Sequence, residues 1–215
     1  DGAGRRAMTA ALTRVFGTAG RREYRYDGKT DPQIVRELMR EAGWDDAAID
    51  AQLEPVFAHY LTLLERELAV RGDRVRVFEG VVDLIAALEA RDDAVVGLLT
   101  GNVAAGASLK LGAAGFDVTR FRVGAFGSDD AHRPALPVVA QRRAREVLGL
   151  ELAARDLVVI GDTPADIECA HAVGALAIAV ATGRYPVEAL AEHGPEAVFS
   201  TLADTDAVLR VIFDA

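Results

Sequence analysis

Two short segments carry residue types and spacings suited to phosphate and divalent-cation chemistry. Leu98-Leu99-Thr100-Gly101-Asn102 closes an apolar run with a hydroxyl, a glycine and a carboxamide. Where such a run leads into a helix, these groups and the amides opening the helix can together hold an anion. An ordinary strand-to-helix turn capped by Asn102 fits the same residues, and both readings stay open here. The second segment is Val159-Ile160-Gly161-Asp162-Thr163-Pro164-Ala165-Asp166. Thr163 suits an N-cap, Pro164 a first helical position, and Asp166 the third position after the cap, as in a capping box with Asp in place of Glu. Asp162 falls at the strand end before the cap, where an unpaired carboxylate is costly unless it is solvated or bound to a cation. Two carboxylates four residues apart around a turn suit Mg²⁺, which takes hard oxygen ligands and keeps several waters. Asp162 is therefore a candidate metal ligand, while Asp166 divides between ligand and cap.

Arg133 precedes Pro134 at the start of a helical pattern. A cation at a helix N-terminus opposes the macrodipole, so a bound anion would explain it, whereas the bland reading is an exposed arginine. His59, His132, His171 and His193 show no ligand spacing and read as structural or surface residues. Cys169, the single cysteine, reads as a buried inert thiol.

These residues need elements to position them. Met8, Ala11, Leu12, Val15 and Phe16 recur at helical spacing before Gly17 and Gly20 break the pattern. Asp31 is the expected cap of a second helix, with Pro32 in its first turn, an apolar stripe from Ile34 to Ala42, and Gly43 at its end. Ile49 to Leu68 continue the period, with Pro55 marking a kink or a fresh start. This helical bundle is expected to end near Arg71-Gly72-Asp73, giving a 1–74 helical domain and a 75–215 α/β domain. Beyond Val75, helices alternate with apolar runs at 94–99, 121–126, 157–160, 176–181 and 197–199, predicting a doubly wound parallel sheet covered on both faces. In such sheets ligands bind beyond the carboxyl ends of the strands, where Thr100 and Asp162 fall.

A length of 215 residues suits one domain with a smaller insertion or cap, and 51% hydrophobic residues supply a core. A net charge of −9 argues against nucleic acid as a partner. No apolar run approaches the roughly 20 residues that span a bilayer, so a soluble chain without a membrane partner is expected. One cysteine excludes an internal disulfide framework and fits a cytoplasmic location. Lys29 and Lys110 are the only lysines among 24 basic residues, leaving 22 arginines to carry most cationic roles.

Taken together, Leu-Leu-Thr-Gly-Asn at 98–102, Arg133 at a helix start, Gly-Asp-Thr-Pro-Ala-Asp at 161–166 and Ala170-His-Ala-Val-Gly174 resemble the haloacid dehalogenase superfamily. Its phosphoglycolate-phosphatase-like hydrolases are the nearest likeness. The resemblance spans nearly the whole chain. Residues 1–74 resemble the small helical cap, and Gly28-Lys29-Thr30-Asp31 a cap motif facing the active site, so Lys29 is expected to reach substrate. It implies phosphate binding by Thr100, Gly101, Asn102 and Arg133, with Thr100, Arg133 and Asp162 catalytic, and Mg²⁺ held by Asp162 and Asp166. The activity implied is hydrolysis of a small phosphomonoester through an aspartyl-phosphate, by a monomer or homodimer. A sugar-phosphate mutase on the same scaffold is the alternative.

The sequence departs from that family's pattern in three places. Arg133 stands where lysine is usual, and Glu79 where proline is frequent. The Asp-x-Asp-Gly-Thr nucleophile motif is absent, which favours a further alternative, a non-catalytic phosphate-binding module. In a doubly wound sheet the strands ending at Thr100 and Gly161 should flank a first strand, yet nothing before Ala94 reads as one. The expectation is that about 10 to 20 residues ahead of Asp1 form that strand and end it with the nucleophile.

Overall fold

The computed structural model describes residues 2–71 and 75–214. They fall into two compact units: Asp1–Arg76 with Thr100–Val118 and Phe126–Ala131, and Val77–Leu99 with Thr119–Ala125 and His132–Ala215. The domain boundary expected near residue 74 lies outside the described residues, and so does most of Arg71-Gly72-Asp73. Segments 100–118 and 126–131 group with the N-terminal helices, which a cut at 74 does not anticipate.

The first unit is helical. Helix α1 (Ala3–Phe16) buries Met8, Ala11, Leu12 and Phe16 along one stripe and stops at Gly17, whose φ of 75° suits glycine. Helix α2 (Asp31–Glu41) is capped by Thr30 rather than Asp31: the Thr30 hydroxyl accepts from Gln33 N at 3.2 Å. Asp31 is instead drawn into the interior of the unit, as described below. Helix α3 (Asp46–Arg71) runs unbroken through Pro55. A mid-helix proline costs about 3 kcal/mol. Ile49, Val56, Tyr60 and Leu64 are fully buried on either side of it, and at about 1.5–3 kcal/mol per large side chain their burial outweighs that cost. Helix α5 (Ala104–Ala113) belongs to this unit, and its preceding residue Val103 joins the same core.

The second unit holds helix α4 (Val81–Glu89) and strands β1 (Gly97–Thr100), β2 (Val123–Phe126), β3 (Val158–Gly161), β4 (Leu176–Val180) and β5 (Ala197–Phe199). Only Thr100 and Phe126, the last residues of β1 and β2, fall in the first unit. Helices α6 (Leu136–Leu148), α7 (Pro164–Val173), α8 (Val187–Ala191) and α9 (Thr205–Asp214) complete it. Strands β3, β4 and β5 pair in parallel, with Ile160 opposite Ile178 and Ala179 opposite Val198. Central strand β4 is buried on both faces. Ala177 and Ala179 pack with Ile167, Ala170 and Leu190 from α7 and α8, while Ile178 and Val180 pack with Leu84 and Val208 from α4 and α9. The two-residue period of a strand thus delivers alternate side chains to helical layers on opposite sides, as the alternating pattern predicts.

β1 and β2 form a separate two-stranded sheet, and among the described residues β1 and β3 share no ladder. The strands are shorter than the apolar runs that announce them, since Ala94-Val95-Val96 precede β1 as coil. No helix among the described residues is long and apolar enough to cross a membrane.

Candidate active site

In the first unit, the turn after β1 is held by a network of side chains and backbone. Thr100 Oγ1 accepts two hydrogen bonds from Asn102, from its backbone N at 3.2 Å and its Nδ2 at 2.7 Å. With both lone pairs occupied, the Thr100 hydroxyl is left to act as a donor. Asn102 Oδ1 in turn accepts from Lys110 Nζ. The backbone on either side is pinned: Asp31 N donates to Gly101 O at 2.7 Å, and Gly127 N to Asn102 O at 2.8 Å. Gly127 is indispensable to that approach, because a Cβ there would lie 2.0 Å from Gly101 O.

One sequence expectation is corrected at this turn. The amides opening α5 are already occupied, Val103 N donating to Asp31 Oδ2 at 2.8 Å and Ala104 N to Ser128 Oγ at 3.2 Å. A buried carboxylate answers the first of them. Asn102 is neither a simple cap nor a ready anion donor, because its carboxamide is committed to Thr100 and Lys110. The Thr100 hydroxyl is the side-chain donor this turn presents.

Lys29 lies in the same unit. Its ammonium donates to Glu37 Oε2 and, at 2.8 Å, to Tyr24 Oη, and sits 4.5 Å from the centre of the Tyr24 ring. Gln33 Nε2 donates to Glu37 Oε1 at 2.7 Å. Burial raises the Glu37 carboxyl, but hydrogen bonds from Lys29, Tyr24 and Gln33 outweigh it and hold the carboxyl below the usual glutamate range.

In the second unit, Asp166 takes the cap role. Its Oδ2 accepts from Thr163 N at 3.0 Å and from the Thr163 hydroxyl at 2.8 Å, and its Oδ1 accepts from Arg133 Nη2 at 2.5 Å. The Arg133 side chain is 13% exposed, so the exposed-arginine reading fails. Arg133 Nε is buried with no hydrogen-bond partner. Arg133 O accepts from Cys169 Sγ at 3.3 Å, tying the start of the α6 segment to α7. The thiol is fully buried and pushed up to about 11 by that burial, an inert state at neutral pH.

Two glycines make room for the acidic pair. A Cβ on Gly161 would lie 2.2 Å from Asp166 Cγ, and one on Gly183 2.0 Å from Asp162 Oδ2. Among the described residues no three His, Cys, Asp or Glu side chains converge as a metal site. Both Asp166 oxygens are engaged by donors, and Asp162 lies just beyond the end of β3. Thr100, Gly101, Asn102 and Lys29 are thus residues of the first unit, and Arg133, Asp162 and Asp166 residues of the second. Sequence reasoning missed Asp31 as a buried acceptor, Lys110, and the two glycines at 127 and 183.

Residues 134–205 match the HAD-hydrolase-like family model. Among solved structures, a hydrolase from Pseudomonas syringae is 20% identical, with a TM-score of 0.70 over 96% of this chain and 90% of its own. The chain shares the fold of that hydrolase. CbbY from Rhodobacter sphaeroides, solved in complex with phosphate, is 16% identical with a TM-score of 0.69, covering 94% of this chain and 88% of CbbY. A predicted phosphoglycolate phosphatase from Haemophilus somnus is 17% identical with a TM-score of 0.62, covering 96% and 90% of the two chains. No curated protein matches the sequence.

Proposed function

We propose that this HAD-like chain is a Mg²⁺-dependent phosphatase acting on a small phosphomonoester through an aspartyl-phosphate. The observation that carries this reading is Arg133 Nε, a buried guanidinium N–H without an acceptor. Such donors are rare in native folds, and a bound anion is one partner that would satisfy this one. Phosphoryl transfer asks a protein mainly for positioning and charge neutralisation. Thr100 offers a hydroxyl donor whose lone pairs are both occupied, and Arg133 offers a fixed cation oriented by Asp166. In this reading Thr100 binds a phosphate oxygen through its hydroxyl, and Arg133 is a source of positive charge for phosphoryl chemistry. Asp162 would hold Mg²⁺, which would supply further charge neutralisation. The likeness to CbbY and to a phosphatase supports the chemistry at the level of fold.

Thr100→Val and Arg133→Met are each expected to lower kcat/KM for phosphate release about 100-fold or more, the effect of deleting one preorganised donor. Wild-type turnover in both folded variants would sink the reading. A second reading, a non-catalytic phosphate-binding module, is favoured by the Thr100 hydroxyl donor, which can bind a phosphate without any nucleophile. Saturable phosphate binding without turnover would select it.

A further inference from the structure

We propose that Lys110 is a positioning residue that sets the direction of the Thr100 hydroxyl through Asn102. The inference rests on the reading of Thr100 as a phosphate-binding group and goes beyond it by assigning a device that aims it.

The argument follows the protons. An ammonium has donors only, so the Asn102 atom facing Lys110 Nζ must be the carboxamide oxygen. That choice turns Nδ2 toward Thr100, where it donates to Oγ1 at 2.7 Å, and the Asn102 backbone N supplies a second donor at 3.2 Å. Thr100 Oγ1 then has no lone pair to spare, and its proton points away from Asn102. A carboxamide flipped the other way would present Oδ1 to Thr100, and the hydroxyl would donate inward, withdrawn from any ligand. Lys110 thus selects between two arrangements of similar shape and opposite polarity.

The surroundings are built to keep Lys110 there. Gly106 and Lys110 lie four residues apart on one face of α5, and Asn102 sits in the turn just ahead of the helix. Gly4 of α1 leaves room for the ammonium, since a Cβ there would lie 3.0 Å from Nζ and 3.2 Å from Cε. An ammonium placed in such an interior is costly unless compensated. Asp31 is the counter-charge: it is 6% exposed, its Oδ2 accepts from Val103 N, and it interacts electrostatically with Lys110. Burial drives each group toward its neutral form, raising the Asp31 carboxyl and lowering the Lys110 ammonium, while their mutual attraction opposes both shifts. A pair that served only to fold the unit would have no need to hand its hydrogen bond to Asn102.

The test is titration of the whole chain with inorganic phosphate by calorimetry. Wild type is compared with Thr100→Val, Lys110→Met and the double variant Asp31→Asn/Lys110→Met, with thermal midpoints measured alongside. Lys110→Met strands a buried carboxylate and should lower the midpoint, whereas the double variant removes both charges and should recover most of it. Phosphate affinity should not recover: both variants are expected to bind about tenfold more weakly than wild type, as Thr100→Val does. A double variant binding within twofold of wild type, while Thr100→Val is weakened tenfold, overturns the positioning role and leaves the phosphate reading intact. Wild-type affinity in Thr100→Val overturns both. The unmutated protein gives a check that does not depend on any variant folding. Asn102 Nδ2 protons protected from solvent exchange in its NMR spectrum support the held orientation, and fast exchange at that carboxamide refutes it.

Discussion

Gly161→Ala adds one carbon and is expected to be among the most damaging small changes in the second unit. The new Cβ would lie 2.2 Å from Asp166 Cγ, 2.3 Å from its Cβ and 2.4 Å from its Oδ2. Comfortable carbon contacts are about 3.5–4.0 Å, so Asp166 must retreat by more than an ångström. Asp166 is held by Thr163 N, the Thr163 hydroxyl and Arg133 Nη2, and a shift of that size breaks or stretches all of these bonds. Losing the cap costs about 1 kcal/mol. Separating a buried pair costs about 3–5 kcal/mol, and here it would leave Arg133 without its counter-ion as well as without a partner at Nε. The sum, about 4–6 kcal/mol, approaches the whole margin of about 5–15 kcal/mol, and corresponds to a midpoint lowered by roughly 10–20 °C. Denaturant unfolding monitored by circular dichroism gives the free energy directly. In an Asp166→Gly background, which removes all three obstructing atoms, Gly161→Ala should cost less than about 1 kcal/mol, a strong non-additivity. A small cost in the wild-type background, or equal costs in both, refutes the close-approach argument.

Asp162→Asn should remove most Mg²⁺-dependent phosphate release; full activity in that variant would remove the metal assignment. Lys29→Ala is expected to cost about 0.5–1 kcal/mol through its pairing with Glu37 and Tyr24 and to leave KM unchanged, so a tenfold rise in KM would return Lys29 to the substrate. The depressed Glu37 carboxyl stabilises the fold fully above the unfolded glutamate value, about 4.3, and that contribution is lost as pH falls through the lower folded value. Thermal midpoints of wild type and Glu37→Gln should therefore differ at pH 7 and converge in acid; a difference that grows in acid would contradict the assigned direction.

Local pattern revealed the elements and much less of their partnerships. Helical spacing located α1, α2 and α6, and Thr163-Pro164-Ala165-Asp166 announced the start of α7, because these signals lie within a turn or two of chain. The cap of α2 was misread. Asp31 has the right chemistry for a cap, but its carboxylate is claimed by Val103 N, 72 residues away, and nothing near Asp31 in sequence signals that. Arg133 was legible as an anomaly at a helix start, though its burial against Asp166 emerges only when α6 and α7 pack. Lys110 left a fainter trace, as one of only two lysines, and helical spacing does not link it to Asn102, which lies in the turn ahead of α5. Pro55 gave a stop signal that long-range burial of Ile49, Val56, Tyr60 and Leu64 overrode.

On the proposed function, the protein transfers the phosphoryl group of a small ester to water. A ³¹P NMR time course of the protein with Mg²⁺ and a panel of phosphorylated metabolites tests it most directly, because ester, isomerised ester and inorganic phosphate give separate signals. The account predicts inorganic phosphate growing in as one ester signal declines, and no such growth with Arg133→Met. An isomerised ester in place of inorganic phosphate would identify a mutase, and unchanged esters alongside saturable phosphate binding would identify a binding module; either result would contradict the phosphatase.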